Sequence, residues 1–325
     1  MGKTAARRIQ KVGNASYSVV IPKSWINRCG IKPQDLITIE EMDDRLVIRP
    51  SLSKPAMANL SLDIFTRNED LNLTTREVLS AYLDGCMLIN ILSRDGQLMP
   101  DFIQKLKQDV LELTIGLEVV DESRTALTFQ EIVSKPVMNF NGIVNRMYKI
   151  TIEMLKMSIR AAMDRSTEDA ESVIRADVDV DKFYLYGIRT LNLAVNDEPL
   201  LEEMGIERPE ETLILKSILK SIERIADHAV SISKLVTGKF SFEQFPEEMG
   251  MRAIKIFDRA FESLITLDEI KANSLIQENH GYVEEMARAP YNMLPEHLVR
   301  IAEYSSDICE NVIDLKVSRK IKREL

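Results

Sequence analysis

The sequence predicts a multidomain α+β protein: a small β domain at the N-terminus, a small α/β domain, and then two tandem three-helix bundles. Three observations carry this prediction. Apolar residues alternate with period two in short runs over the first fifty residues and recur at three and four after Asn139. A segment near the C-terminus repeats the pattern of one near residue 225. Charge is divided unevenly along the chain.

At 325 residues the chain exceeds what one core organises, since single cores stop growing at roughly 250 residues. Hydrophobic residues make up 45% and charged residues 29%, the balance of a globular protein rather than a disordered one. No stretch approaches the ~18 consecutive apolar residues of a membrane span, and Met1 to Gln10 lacks the apolar core of a signal peptide. A cytoplasmic protein without membrane insertion is expected. Cys29, Cys86 and Cys309 are widely spaced and odd in number, which favours reduced thiols over a disulfide framework.

The first 34 residues hold Lys3, Arg7, Arg8, Lys11, Lys23, Arg28 and Lys32 and no acid. The formal net charge of the whole is -9, so a basic head is joined to an acidic body. Such a division suits contact with a phosphate backbone at one end only. The head reads as strands RRIQKV and SYSVVIP, a brief helix from Lys23 to Cys29, and strands DLITIEEM and RLVIRP, with turns at Gly13 and Asn14 and at Asp43 and Asp44. Fifty such residues bury too little surface to stand alone. A homodimer sharing strands between subunits is the economical solution.

The expected domains are residues 1–50, a linker at 51–59 with two prolines, a small α/β domain at 60–135, and helical bundles at 139–238 and 247–325. In the α/β domain, strands are expected at Leu60 to Phe65, Met87 to Leu92, Leu117 to Asp121 and Ala126 to Ile132. Its helices are expected at Thr75 to Leu83 and Asp101 to Leu113. The Met147, Met154, Met157 and Met163 stripe is read as core packing.

ERIADHAVSISKLV from Glu223 and RIAEYSSDICENVIDL from Arg300 share an Arg-Ile-Ala start, acidic and small residues, and an apolar run. Glu223 and Asp227 are four apart, as are Asp177 and Asp181 on the preceding helix, so each pair lies on one helix face. Like charges at that spacing repel, and a hard cation between two such pairs would relieve the repulsion. The other reading is that these acids face solvent and pair with Arg224 and Lys182. Glu303 and Asp307 repeat the pair in the second bundle, where Asn279 stands in for Asp177 and only Glu284 offers a nearby carboxylate. His228, His280 and His297 are not at ligand spacing to one another and are expected at the surface or as caps. No GxSxG, phosphate loop, GxGxxG or HExxH motif is present, so no enzyme is expected.

KVGNASYSVVIPKSW, GIKPQDLITIEE and RLVIRP resemble the AbrB/SpoVT/MazE swapped-hairpin DNA-binding domain, with Ile21, Pro22, Gly30 and Asp35 at the matching positions. The resemblance implies an obligate dimer that sets basic residues of its first strand and loop against double-stranded DNA. Arg7, Arg8, Lys11, Asn14 and Lys23 are the candidate contacts; Tyr17 and Ser18 stand where many relatives have an arginine. ERIADHAVSI is similar to the PhoU signature, with Ala226 in place of its glycine, and ADVDVD to that family's upstream acidic segment. PhoU-like proteins are pairs of three-helix bundles that bind metal clusters and regulate phosphate uptake. This implies Asp177, Asp181, Glu223, Asp227, Glu303 and Asp307 as candidate ligands of iron, zinc, manganese or magnesium, and no organic cofactor.

The two resemblances together look like a prokaryotic, archaeal-type fusion. They imply a DNA-binding transcriptional regulator of phosphate uptake whose bundles serve as a metal-binding sensor. The alternative is an adaptor that contacts the phosphate transporter ATPase subunit, with the N-terminal domain serving only for dimerisation.

Overall fold

The computed structural model describes residues 6–13, 16–42, 45–50, 60–133, 138–195, 197–238, 247–288 and 293–324. It divides into two compact units, Met1–Ala58 and Asn59–Leu325.

In the first unit β1 (Gln10–Val12) pairs antiparallel with β2 (Ser16–Ser18). Helix α1 (Lys23–Arg28) follows, then the antiparallel pair β3 (Ile37–Met42) and β4 (Arg45–Pro50). Gly13 lies directly after β1 at φ +67°, a conformation that glycine adopts without a Cβ penalty. Asn14 and the turn expected at Asp43 and Asp44 lie outside the described residues. The first two strands are shorter than expected. Val19 and Val20 follow β2 without a strand partner among the described residues, and they are 48% and 67% exposed. No described residue of this unit is buried. Ile9, Tyr17 and Leu36 are 70%, 71% and 80% exposed, so the described residues of these antiparallel pairs form no core.

The second unit begins with β5 (Ser61–Thr66), α2 (Leu71–Leu83), β6 (Leu88–Ser93), α3 (Pro100–Leu113), β7 (Leu117–Glu122) and β8 (Ala126–Glu131). The sheet order is β5-β6-β8-β7, with β5 and β6 parallel and the other pairs antiparallel. The parallel pair needs a crossover, and α2 supplies it. Ile89 and Ile91 of β6 and Leu127 and Phe129 of β8 pack with Val78, Tyr82, Leu106 and Val110 of the two helices in one apolar cluster. Helix α2 starts at Leu71, four residues before the expected Thr75. Buried Thr74 lies in that extra turn, its hydroxyl 2.5 Å from that of Thr66 on β5.

The rest is helical: α4 (Phe140–Asp164), α5 (Thr167–Ala194), the short α6 (Glu198–Glu203), α7 (Glu211–Thr237), α8 (Glu247–Thr266), α9 (Glu269–Ala287) and α10 (Met293–Glu324). Side-chain oxygens satisfy the first backbone N–H groups at several starts. Asn139 Oδ1 accepts from Gly142 N (2.9 Å), Ser166 Oγ from Asp169 N (3.3 Å), and Asp268 Oδ1 from Ile270 N and Lys271 N. Arg165 ends α4 in the left-handed conformation, φ +52°.

One apolar core runs through both sets of three long helices, joining Met147 and Ile222 to Phe257, Leu298 and Ile301. Helix α7 packs on α4, α5 and α10, and α4 packs on α8. The two bundles are therefore fused side by side through a shared interior. Met147 and Met154 are buried in that core and Met157 and Met163 pack against it, as the stripe predicts. At Gly187 of α5 a Cβ would lie 2.7 Å from Leu219 Cδ1 of α7. The missing side chain lets these two backbones approach closely, and they carry the acidic pairs.

Candidate functional site

The second unit assembles its polar chemistry along α7. Asp177 and Asp181 project from α5, and Glu223 and Asp227 from α7. Burial pushes the Asp177 carboxyl up to about 6, with Asp227 and then Glu223 adding to the effect. Burial pushes Asp181 up to about 7, reinforced by Asp177, Glu223 and Asp227. The fold thus brings the four sequence-predicted acids together from two helices, and Lys234 and Lys220 only partly offset the rise of Asp177 and Asp181. Arg224 Nη1 lies 3.0 Å from Asp227 Oδ2, as the solvent-facing reading expects. Glu223 Oε2 is buried, 2.7 Å from Lys220 Nζ, close enough for an ion pair but without hydrogen-bond alignment.

A hard cation fits the chemistry of this donor set. Among the described residues, however, no three His, Cys, Asp or Glu side chains converge to hold a metal ion. Glu223 and Asp227 would have to turn from Lys220 and Arg224 to do so.

The second bundle does not repeat the arrangement. Asn279 of α9 is 2% exposed and donates through Nδ2 to Ser306 Oγ (2.9 Å) and Ala302 O (3.4 Å) of α10. The charges that raise Asp307, after burial, are Glu310 and Glu303, both on its own helix. Glu303 pairs with Arg300 (2.9 Å), and Glu284 with Arg288 (3.3 Å). An amide fills the place of the facing carboxylates.

The histidines depart from expectation. His280 is exposed, but His228 and His297 are half-buried, with their Nδ1 atoms 3.0 Å apart across the α7 and α10 interface. Tyr304 stacks on His228 at 5.8 Å. Burial lowers both imidazoles, His228 to about 4 with help from His297, Arg300 and Arg224. Burial thus favours the neutral form of each ring, in which one nitrogen can donate to the other. Sixty-nine residues separate them, and only packing brings them together.

In the first unit Arg7, Arg8, Lys11 and Lys23 are exposed. Lys11 lies opposite Tyr17 in the first hairpin. Arg7 donates to the Ala6 carbonyl (3.2 Å). None of the four forms an ion pair among the described residues. Asn14 lies outside them.

Residues 144–236 match the family model described as PhoU domain. Residues 9–56 match the one described as antidote-toxin recognition MazE, bacterial antitoxin. The chain thus carries a match to a MazE-type domain ahead of a match to a PhoU domain. The PhoU match covers α5 and α7, which carry the four acids, and stops before α8. Two solved structures are similar to the chain. PhoU from Pseudomonas aeruginosa has a TM-score of 0.45 at 16% identity, with 55% of this chain and 96% of that chain covered. The phosphate transport system regulatory protein PhoU from Streptococcus pneumoniae has a TM-score of 0.43 at 16% identity, with 55% and 94% covered. Among curated proteins no match is found. The PhoU family is regulatory and non-enzymatic, and a PhoU domain suggests phosphate-transport regulation. No described helix is long and apolar enough to cross a membrane.

Proposed function

We propose that the protein is a homodimeric DNA-binding regulator of phosphate uptake, with its MazE-type heads on double-stranded DNA and its PhoU bundles as the sensor. One observation carries this reading. The head has no buried residue among those described, yet it displays apolar side chains and unpaired cations together. Burying surface such as that of Val19, Val20 and Leu36 against a second copy would supply the missing core. The same assembly would present Arg7, Arg8, Lys11 and Lys23 twice, as a phosphate-backbone surface requires.

Changing Arg7, Arg8 and Lys11 together to Ala is expected to weaken binding to promoter DNA and flatten its salt dependence. Each lost phosphate contact should reduce the slope of log K against log salt by about 0.9. Electrophoretic titration at several salt concentrations reads both quantities. An unchanged slope would remove the DNA assignment. Capture of the transporter ATPase subunit without any promoter binding would replace this reading with the adaptor one.

In this reading Asp177, Asp181, Glu223 and Asp227 hold a divalent or trivalent cation, which would neutralise the repulsion among them. Elemental analysis of the protein purified without chelator should find iron, zinc, manganese or magnesium. Asp177→Asn with Asp227→Asn should abolish it. A metal-free wild type would reject the cation.

A further inference from the structure

Beside the acids, α7 and α10 enclose an open cleft of about 440 Å³, within the size range of small-ligand sites. It is lined by Arg224 and Lys234 from the first bundle and Arg300 from the second. Lys234 forms no ion pair within 4 Å among the described residues, though its charge eases the rise of Asp177. Arg224 is held by Asp227 through one nitrogen at 3.0 Å, with Glu223 at 3.8 Å from another. Arg300 is held by Glu303 through one nitrogen at 2.9 Å. A guanidinium carries five donors in a planar fork, so each arginine keeps donors for an occupant.

The hydroxyls of Ser231 and Tyr304 line the same space. That of Ser231 is bonded back to Asp227 O (2.9 Å), and that of Tyr304 has no partner among the described residues. The carboxylates on the cleft are Asp177 and Asp227, while Glu223 and Glu303, outside the lining, face Arg224 and Arg300. Three cationic side chains and two hydroxyls converging in one concavity, with little apolar lining, match a compact anion with many acceptor oxygens.

We propose that this cleft binds a phosphoryl oxyanion, with free inorganic phosphate as its occupant. The choice of phosphate rests on the phosphate-uptake reading, whereas the demand for a multi-acceptor anion rests on the geometry alone. An occupant would touch α7 through Arg224 and Lys234 and α10 through Arg300. It would thereby tie the two bundles together beside the His228 and His297 contact.

Calorimetric titration of the full chain with inorganic phosphate, and separately with ATP, tests the proposal on the wild type, Lys234→Gln and Arg300→Gln. Thermal melts of each variant establish that it is folded. Saturable phosphate binding that weakens roughly tenfold or more in both variants is the expected result. ATP binding with the same sensitivity but no phosphate binding would uphold the cleft and overturn free phosphate as its occupant. Heat from neither ligand, or equal affinity in all three proteins, would overturn the site. Promoter binding by the wild type in the same preparation keeps the DNA reading independent of that outcome.

Discussion

Arg189→Ala is expected to destabilise the protein by about 3–5 kcal/mol, the usual cost of removing one partner from a buried ion pair. Arg189 of α5 is 4% exposed and Glu131 of β8 is 5% exposed, with Nη2 and Oε2 3.2 Å apart. The guanidinium also donates to the Tyr82 carbonyl through Nη1 and lies 4.6 Å over the Tyr82 ring. Beside it Asn192 donates to Leu83 O (2.9 Å). This cluster fastens the α/β sheet domain to the first bundle.

Burial raises the Glu131 carboxyl, and Arg189 opposes the rise. Without Arg189, Glu131 can escape its unpaired charge by taking up a proton. A raised carboxyl contributes stability at low pH that is lost as pH rises, so the cost of the variant should be greater at pH 8 than at pH 5.5. Arg189→Met with Glu131→Gln should recover part of it, since the charges leave together and only the Tyr82 carbonyl loses its donor. Urea denaturation at both pH values measures this. A loss below about 1 kcal/mol at pH 8 would show that the pair does not hold the domains together.

The second expectation concerns the acids of α5. In chelator-treated protein, Asp177→Asn with Asp181→Asn should raise stability at pH 8 and change it much less at pH 5. Both carboxyls are raised in the fold, to about 6 and about 7. Their contribution is therefore fully present below the ordinary carboxylate range and is lost as pH rises through 6 to 7. His228 works oppositely. Lowered to about 4, it contributes stability above about 6.5 that is lost as pH falls. Subtracting variant from wild type at each pH cancels the histidine.

A tenfold change in proton affinity is worth about 1.4 kcal/mol. Because the two acids titrate together and are partly solvated, a joint gain of about 2 kcal/mol, or about 4–8 °C in Tm, is the expected size. Equal melting shifts at pH 5 and pH 8 would mean that the repulsion is absent. Adding the cognate cation should stabilise the wild type at pH 8 and leave the variant unmoved.

The sequence by itself determined the elements and the broad chemistry. Period-two alternation placed β3 and β4, three-four periodicity placed α4, α5, α7 and α10, and four-residue spacing put each acidic pair on one helix face. These are local properties, set by backbone geometry and readable without knowing what packs on what. The basic head was equally visible, because charge is additive along a chain.

What only the tertiary structure decided depends on residues distant in sequence. The common core of the two bundles follows from which faces of α7 and α10 meet. The replacement of the second acidic site follows from Asn279 reaching Ser306 and Ala302. The pairing of His228 with His297, the burial of Arg189 against Glu131, and the cleft that sets Lys234 beside Arg300 carry no periodic signal. Each is a contact between side chains whose separate neighbourhoods look ordinary, and its energy comes from desolvation that exists only once the helices have packed.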